Sequence, residues 1–202
     1  MTVWAYMLER NLAATRAVFI AAGIHPTETD ASRLVASQIE PGNTLPNWDT
    51  ERTVVQREQL SVGDCIEFAK TISEADVQQF AAASGDTNPL HLDDGVAEKT
   101  RFGGRIVHGT LVSGLISAAL ARLPGLPIYF SQDLEFHNPA RVGDRVTATC
   151  EIVEELDDDQ YRLSTRVVED SDVLVDGEAI VLIDPLPEDS IDDQGELPAE
   201  SS

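Results

Sequence analysis

Cysteine is scarce in this sequence, and long apolar runs are missing from it. The two cysteines, Cys65 and Cys150, lie far apart in strand-like segments and lack the spacing of metal ligands. We therefore expect two reduced structural thiols and no disulfide framework. No segment offers the roughly 18 uninterrupted apolar residues of a membrane helix, and the N-terminal MTVWAYMLERNL has no basic leader-like stretch. The sequence thus predicts a cytoplasmic protein without membrane insertion.

Basic residues are also few. Fourteen Lys and Arg stand against 36 Asp and Glu, which gives a formal net charge of −22 and a pI of about 4.2. Such a surface repels nucleic acid and anionic lipid, so neither is expected as a partner. Apolar residues, at 42%, still suffice for one sizeable core. A carboxylate-rich solvated surface is typical of halophiles, in which salt screens the self-repulsion, and it favours a haloarchaeal source.

The chain divides into three parts by its patterning. Residues 3–23 have the apolar spacing of an amphipathic helix, and residues 25–57 are polar, proline-containing and without period. We interpret 1–57 as a helical and irregular extension, which could pack on the main domain or on a partner chain. The main domain is predicted over 58–185. The acidic stretch 186–202 is predicted to be a disordered tail.

The first half of the main domain predicts a strand and two helices. The segment SVGDCIEFAKTI alternates like a strand, and SEADVQQFAAASG predicts a helix capped by Ser73 and ended by Gly85. A polar loop, DTNPLHLDD, and a short helical piece around Val96 to Lys99 follow. The segment from His108 to Leu123 is apolar on nearly every face, so we expect a long buried helix there.

Beyond Pro127 the period changes to that of strands. Four successive segments, IYFSQDLEFHNPA, DRVTATCEIVEEL, QYRLSTRVVED and EAIVLIDPL, predict an antiparallel meander. A sheet that wraps around one central helix would bury that helix on its whole circumference. The predicted fold class is therefore α+β.

The string GDTNPLHLD carries the residues best suited to chemistry. Asp86, Asn88 and His91 lie within six residues around Pro89, which stiffens the loop. A loop this compact could direct a carboxylate and an imidazole into one small volume, as a general base and its partner require. For Asp86 alone, the alternative is an Asx-type turn at the end of a helix.

A second feature is Gly109, which follows GGRIVH in the first turn of the long helix. Backbone N–H groups are free there and the helix dipole is positive. A glycine lets a ligand carbonyl approach these amides, as an oxyanion hole requires. The alternative is a small residue needed for tight packing of helix against sheet.

Taken together, GDTNPLHLD and GRIVHGTL resemble the hydratase motif of the MaoC-like family, the (R)-specific enoyl-CoA hydratases. The resemblance covers about residues 60–184. It implies a hot-dog fold that dimerises edge to edge, and an acyl-CoA thioester as the substrate, with no cofactor. It implies reversible addition of water to a trans-2-enoyl-CoA, giving the (R)-3-hydroxyacyl-CoA. Asp86 would act as the base and His91 as its partner, Asn88 would hold the loop, and the Gly109 amide would bind the thioester carbonyl.

Other positions concern the two ends of the substrate. Members of the family that serve polyester synthesis carry a serine on the central helix near the acyl chain. Here Ser113 lies close to that place and Gly114 occupies it, so both are candidate substrate contacts. Arg105, with Lys99 and Arg101, forms a basic cluster that could hold the nucleotide end, or that could be solvated charge flanking a glycine turn. One carboxylate and one histidine fall short of a three-ligand site, so no metal is expected.

Two rival functions remain on the same fold. A hot-dog thioesterase would need a carboxylate directed at the thioester carbon, and thioesterases lack the NPLH string. A non-catalytic subunit that binds acyl-CoA or a partner would not need the set of Asp86, His91 and Gly109. For the hydratase itself, the sequence leaves open whether it serves fatty acid breakdown, supplies polyhydroxyalkanoate precursors, or hydrates a branched or dicarboxylic enoyl-CoA.

Overall fold

The computed structural model describes residues 41–42 and 44–187. The chain divides into two compact units, 1–44 and 45–202, and the second holds all the elements described below. The predicted helix over 3–23 lies outside the described residues, as does the predicted tail from residue 188 onward. None of the described helices is long and apolar enough to cross a membrane.

Six antiparallel strands form one sheet in the order β1-β2-β4-β5-β6-β3. In chain order they are β1 (Trp48–Arg52), β2 (Cys65–Thr71), β3 (Leu126–Phe136), β4 (Arg145–Glu155), β5 (Gln160–Glu169) and β6 (Asp172–Asp184). Buried side chains alternate along β4, as expected for a strand with one face on the core. Both cysteines are unpaired thiols, and burial raises the pKa of Cys150 to about 12.

The sheet corrects the predicted organisation in two places. Strand β1 pairs with β2, so the interpretation of 25–57 as irregular is wrong over Trp48–Arg52. The meander is confirmed for β4, β5 and β6, but β3 pairs with β6 and forms the far edge of the sheet. Periodicity predicts β2 to β6 but not β1, whereas the pairing of β3 depends on the connection over 137–144, which carries no periodic pattern.

Four helices accompany the sheet: α1 (Glu74–Ser84), α2 (Pro89–Leu92), α3 (Asp94–Ala97) and α4 (Gly109–Leu120), with a short 3-10 turn at Arg57–Gln59. The predicted capping of α1 is confirmed, because Ser73 and Asp76 exchange side-chain and backbone hydrogen bonds in a capping box. Gly85 ends α1 in the left-handed conformation, with φ of 78°. The predicted polar loop contains the helical turn α2, and the short helical piece lies slightly earlier than predicted, in α3.

Helix α4 is the central helix, but it is not buried on every side. Val112, Leu115, Ile116, Ala119 and Leu120 pack into the core. On the opposite face Thr110, Gly114 and Ser117 are exposed. The predicted burial of the whole circumference is therefore wrong for the single chain. The sequence pattern predicted burial on all sides because the residues of the outer face are small and carry no charge that would indicate a solvent-exposed face.

Candidate active site

The loop after α1 is built by its own side chains. The Asp86 carboxylate accepts a hydrogen bond from the Asn88 N–H at 3.2 Å, so the Asx-type turn does form. Asn88 then caps α2 by accepting from the Leu90 N–H at 3.0 Å. Pro89 occupies the first helical position, where a missing N–H costs nothing. The loop leaves Asp86 exposed and turns His91 inward.

His91 is buried, and its orientation is fixed by one backbone contact. Its Nδ1 lies 2.8 Å from the carbonyl oxygen of Ile106. Because a carbonyl only accepts, Nδ1 carries the proton and donates. The neutral imidazole therefore keeps the lone pair on Nε2, the nitrogen that can accept a proton or a hydrogen bond from water.

His108 is a third member of this site. One ligand atom each of Asp86, His91 and His108 lies within 4.8 Å of the others. The expectation of no metal rested on a count of one carboxylate and one histidine, and the structure corrects that count to three groups. The absence of a metal therefore stays a prediction that needs its own test.

Gly109 begins α4 directly beside these groups. No side chain caps this end of the helix in the described part of the chain. The Leu111 N–H donates to the His108 carbonyl, whereas the Gly109 and Thr110 N–H groups have no hydrogen-bond acceptor among the described residues and can meet a ligand. The packing alternative also has a basis here. A Cβ added at Gly109 would lie 2.9 Å from Cε1 of Phe136, so the glycine admits the aromatic ring.

His91 and Gly109 open into a pocket of about 310 Å³. Its walls are mainly apolar, with Val112 and Phe136 among them, and Arg101 and His137 are its charged or titratable contributors besides His91. Asp86 does not line this cavity and lies on the exposed loop next to it. The pocket therefore has the character of a ligand site with an apolar body and a few polar groups.

Residues 58–174 match the family described as MaoC like domain, which is more than half of the 202 residues. The chain belongs to the MaoC-like domain family. The resemblance carried by GDTNPLHLD and GRIVHGTL is thereby confirmed.

Two proteins of similar sequence have names that agree with this family. An (R)-specific enoyl-CoA hydratase from Rhodospirillum rubrum is 41% identical over 129 residues, which span 62% of this chain and 90% of that protein. A 3-hydroxybutyryl-CoA dehydratase from Methylorubrum extorquens is 42% identical over 136 residues, or 66% and 87% of the two chains.

Two solved structures share the architecture. An unliganded (R)-hydratase from Pseudomonas aeruginosa has a TM-score of 0.61 and 37% identity, over 77% of this chain and 99% of that one. An (R)-hydratase from A. caviae involved in PHA biosynthesis has a TM-score of 0.60 and 38% identity, over 62% and 98%. The predicted α+β hot-dog fold is confirmed for this MaoC-like protein.

Arg105 forms ion pairs with two carboxylates in this MaoC-like protein. Its guanidinium donates to Glu74 and to Asp94, at 2.8 Å in each pair. The hydrogen bonds from Arg105 and from Gln78 lower the pKa of Glu74 to about 2. Arg105 thus ties α1 to α3, whereas Arg101 lines the pocket and stacks over Phe102 at 4.9 Å.

The two predicted acyl-chain contacts lie away from the main pocket. Gly114 lines a second cavity of about 270 Å³, together with Trp48, Phe68 and other residues. The Ser113 hydroxyl donates to the Thr110 carbonyl at 3.2 Å, within the same helix. The structure therefore does not bring Ser113 or Gly114 together with His91 and Gly109 around one cavity.

Sequence reasoning missed the importance of two residues at this site. His108 directly precedes Gly109 in the motif, so its position was visible, but nothing in the sequence shows that its ring meets His91. Phe136 reaches Gly109 only because β3 forms the edge of the sheet. Such a contact between distant segments leaves no local pattern.

Proposed function

We propose that this chain is an (R)-specific enoyl-CoA hydratase that reversibly adds water to a trans-2-enoyl-CoA. The observation that carries the proposal is the convergence of the Asp86 carboxylate and the His91 imidazole beside the free amide of Gly109. One relative named as a hydratase, at 41% identity, and one named as a dehydratase, at 42%, support the same class of reaction. The apolar pocket next to these groups suits a thioester with an acyl chain.

Asp86 and His91 would act on the water. The Asp86 carboxylate takes a proton as the water oxygen forms its bond to C3 of the enoyl thioester. His91, pinned at Nδ1 by the Ile106 carbonyl, uses Nε2 to orient the same water. The pair then returns a proton to C2, which restores the starting protonation state of the site.

Gly109 would act on the thioester. As the C3–O bond forms, electrons move through C2 to the thioester carbonyl, whose oxygen gains enolate charge. A free N–H in the first turn of α4, at the positive end of the helix dipole, stabilises that charge. The thioester itself withdraws electrons, so this route uses the groups of the chain without a cofactor.

The CoA end of the substrate carries phosphates, so it needs a cationic side chain to bind to a chain whose net charge is −22. Arg105 is engaged by Glu74 and Asp94, so we assign this part to Arg101 at the pocket wall. The acyl-chain contacts of Ser113 and Gly114 stay predictions, and chain length with them. The (R)-3-hydroxyacyl-CoA product suits either fatty acid metabolism or precursor supply for polyhydroxyalkanoate, in the cytoplasm.

A homodimer forms part of the proposal. Strand β3 is an edge strand and exposes a row of large apolar side chains: Leu126, Ile128, Tyr129, Phe130 and Phe136. An open apolar edge is an unstable surface for a single chain and pairs readily with a second copy. We therefore propose that two chains join through β3.

The test follows the fate of crotonyl-CoA in molar KCl. A hydratase lowers the ultraviolet absorbance of the enoyl thioester without releasing free thiol, and chiral analysis gives the (R)-3-hydroxy product. Release of free CoA without hydration would establish the thioesterase instead. Neither reaction across a panel of acyl lengths would establish the non-catalytic binding subunit.

A further inference from the structure

His108 is among the most enclosed polar side chains of the described domain, with 1% of its surface exposed. It occupies the N-cap position of α4, yet its side chain does not cap the helix. Its Nε2 instead lies 3.0 Å from the backbone carbonyl oxygen of Asp86. A carbonyl only accepts, so Nε2 carries the proton and donates to the loop that holds the general base.

The ring of His108 also contacts two other parts of the site. Its centroid lies 4.0 Å from that of His91, at an interplanar angle of 32°. On another side it lies 4.9 Å from the ring of Phe80, in the helix that leads into the Asp86 loop. One side chain therefore touches the base, the partner imidazole and the helix before them.

This arrangement leaves a polar atom buried. Nδ1 of His108, which holds the lone pair, has no hydrogen-bond partner within the described residues. A buried acceptor without a partner costs stability, and a phenyl ring of similar shape would avoid that cost. Asp86 is exposed, so water could satisfy its carbonyl if the imidazole were absent. Packing alone therefore does not account for a histidine here.

We propose that His108 is a positioning residue of the hydration reaction. Its Nε2–H bond fixes the backbone of Asp86, and its ring fixes the plane of His91, so that both groups meet the same water. The role rests on the proposed hydratase function. Because misplacing a catalytic group by about 1 Å costs up to roughly 100-fold in rate, loss of this contact should lower kcat while leaving substrate binding intact.

Two substitutions separate the hydrogen bond from the packing. His108→Phe keeps a ring against His91 and Phe80 but removes the donor. His108→Gln keeps an N–H at the reach of Nε2 and removes the ring. Thr165→Val is the matched control, because it removes another buried polar atom that has no hydrogen-bond partner among the described residues, in β5 and outside the Asp86 loop and the 310 Å³ pocket.

The measurements are kcat and KM for crotonyl-CoA in molar KCl, with the melting temperature of each variant. We expect His108→Phe to lose about 10- to 100-fold in kcat with KM within about twofold, and to melt no lower than the wild type. His108→Gln restores the donor but not the ring, so it should recover most of the loss, to within about fivefold of the wild-type kcat, and the remaining loss measures the contribution of the ring. Thr165→Val should keep the wild-type kcat.

Three results would overturn the role. A His108→Phe enzyme with wild-type kcat means that the donor is not needed. Parallel losses of kcat and melting temperature in both His108 variants mean a structural role only. An inactive wild type overturns the proposed hydratase function and this role with it, whereas an active wild type with insensitive His108 variants overturns this role alone.

Discussion

The Phe136 ring packs so closely against Gly109 that a Cβ at the glycine would lie 2.9 Å from Cε1 of the ring. The first-turn amide of α4 and the edge strand β3 therefore meet at the candidate active site. An aromatic side chain from a distant strand thus helps to define the wall beside the proposed enolate-binding amide.

Gly109→Ala is expected to impair catalysis because the methyl group pushes Phe136 or the substrate away from the amide. We expect kcat/KM for crotonyl-CoA to fall by about 10-fold or more. The double variant Gly109→Ala with Phe136→Leu separates the two causes. Recovery in the double variant indicates steric pressure from the ring, whereas no recovery indicates that the substrate itself needs the glycine. Wild-type activity in the single variant would contradict a close approach at this position.

The ion pairs of Arg105 predict a specific acid response. The pKa of Glu74 falls from 4.5 to about 2 in the folded chain, chiefly through its hydrogen bond from Arg105. A lowered carboxyl pKa stabilises the fold above the unfolded value and loses that contribution as pH falls from 4.5 towards 2. Glu74→Gln should therefore unfold more easily near neutral pH, by less than about 1 kcal/mol because the pair is partly exposed.

Urea unfolding of both proteins between pH 2 and pH 7 checks this response. The difference in unfolding free energy should shrink below pH 4.5 and vanish near the lower pKa. Glu98→Gln is the control, since the structure shows no ion pair for this exposed glutamate among the described residues. An equal effect of both substitutions at neutral pH would contradict a specific role of the Arg105 contact.

Metal removal tests the mechanism proposed for Asp86 and His91. One ligand atom each of Asp86, His91 and His108 lies within 4.8 Å of the others, but the mechanism uses these groups for proton transfer and positioning. Dialysis against EDTA should therefore leave the rate of crotonyl-CoA hydration unchanged. Loss of activity that returns with Zn²⁺ would assign these three residues to a metal centre instead.

The exposed edge of the sheet predicts the assembly state. Light scattering should give a mass of twice 21.9 kDa for the wild type. Phe130→Lys places a charge on β3, where 55% of the side chain is exposed in the single chain, and should yield monomers. Val153→Lys changes another exposed apolar residue, in β4, which β5 and β6 separate from β3 in the sheet, and this variant should remain dimeric. A monomeric wild type would exclude the proposed dimer.

Local features of this fold could be predicted from the sequence. The capping box of Ser73 and the stop at Gly85 follow from the side chains and backbone freedom of a few neighbouring residues. Strand β1 was missed because WDTER has only one apolar residue, Trp48, and is mostly exposed at the sheet edge. Its pairing partner, β2, supplies the context that its own composition lacks.

The candidate site also contains residues that could be predicted from the local sequence and residues whose contacts could not. Asp86, Asn88 and His91 could be predicted because they lie in one short loop. The pairing of His91 with His108 and the occupation of Arg105 by Glu74 depend on segments far apart in the chain. The sequence shows which residue types occur at these positions, but only the tertiary fold determines which of them lie in contact.

The most direct test of the account compares two aspartates of the same region. Asp86 is the proposed base, whereas Asp93 caps α3 by accepting from the Val96 N–H at 2.9 Å, a role that asparagine fulfils equally. Hydration of crotonyl-CoA in molar KCl should fall by about 100-fold or more in kcat for Asp86→Asn and stay at the wild-type rate for Asp93→Asn. Equal, undiminished activity in both variants would contradict the assignment of Asp86 as the base.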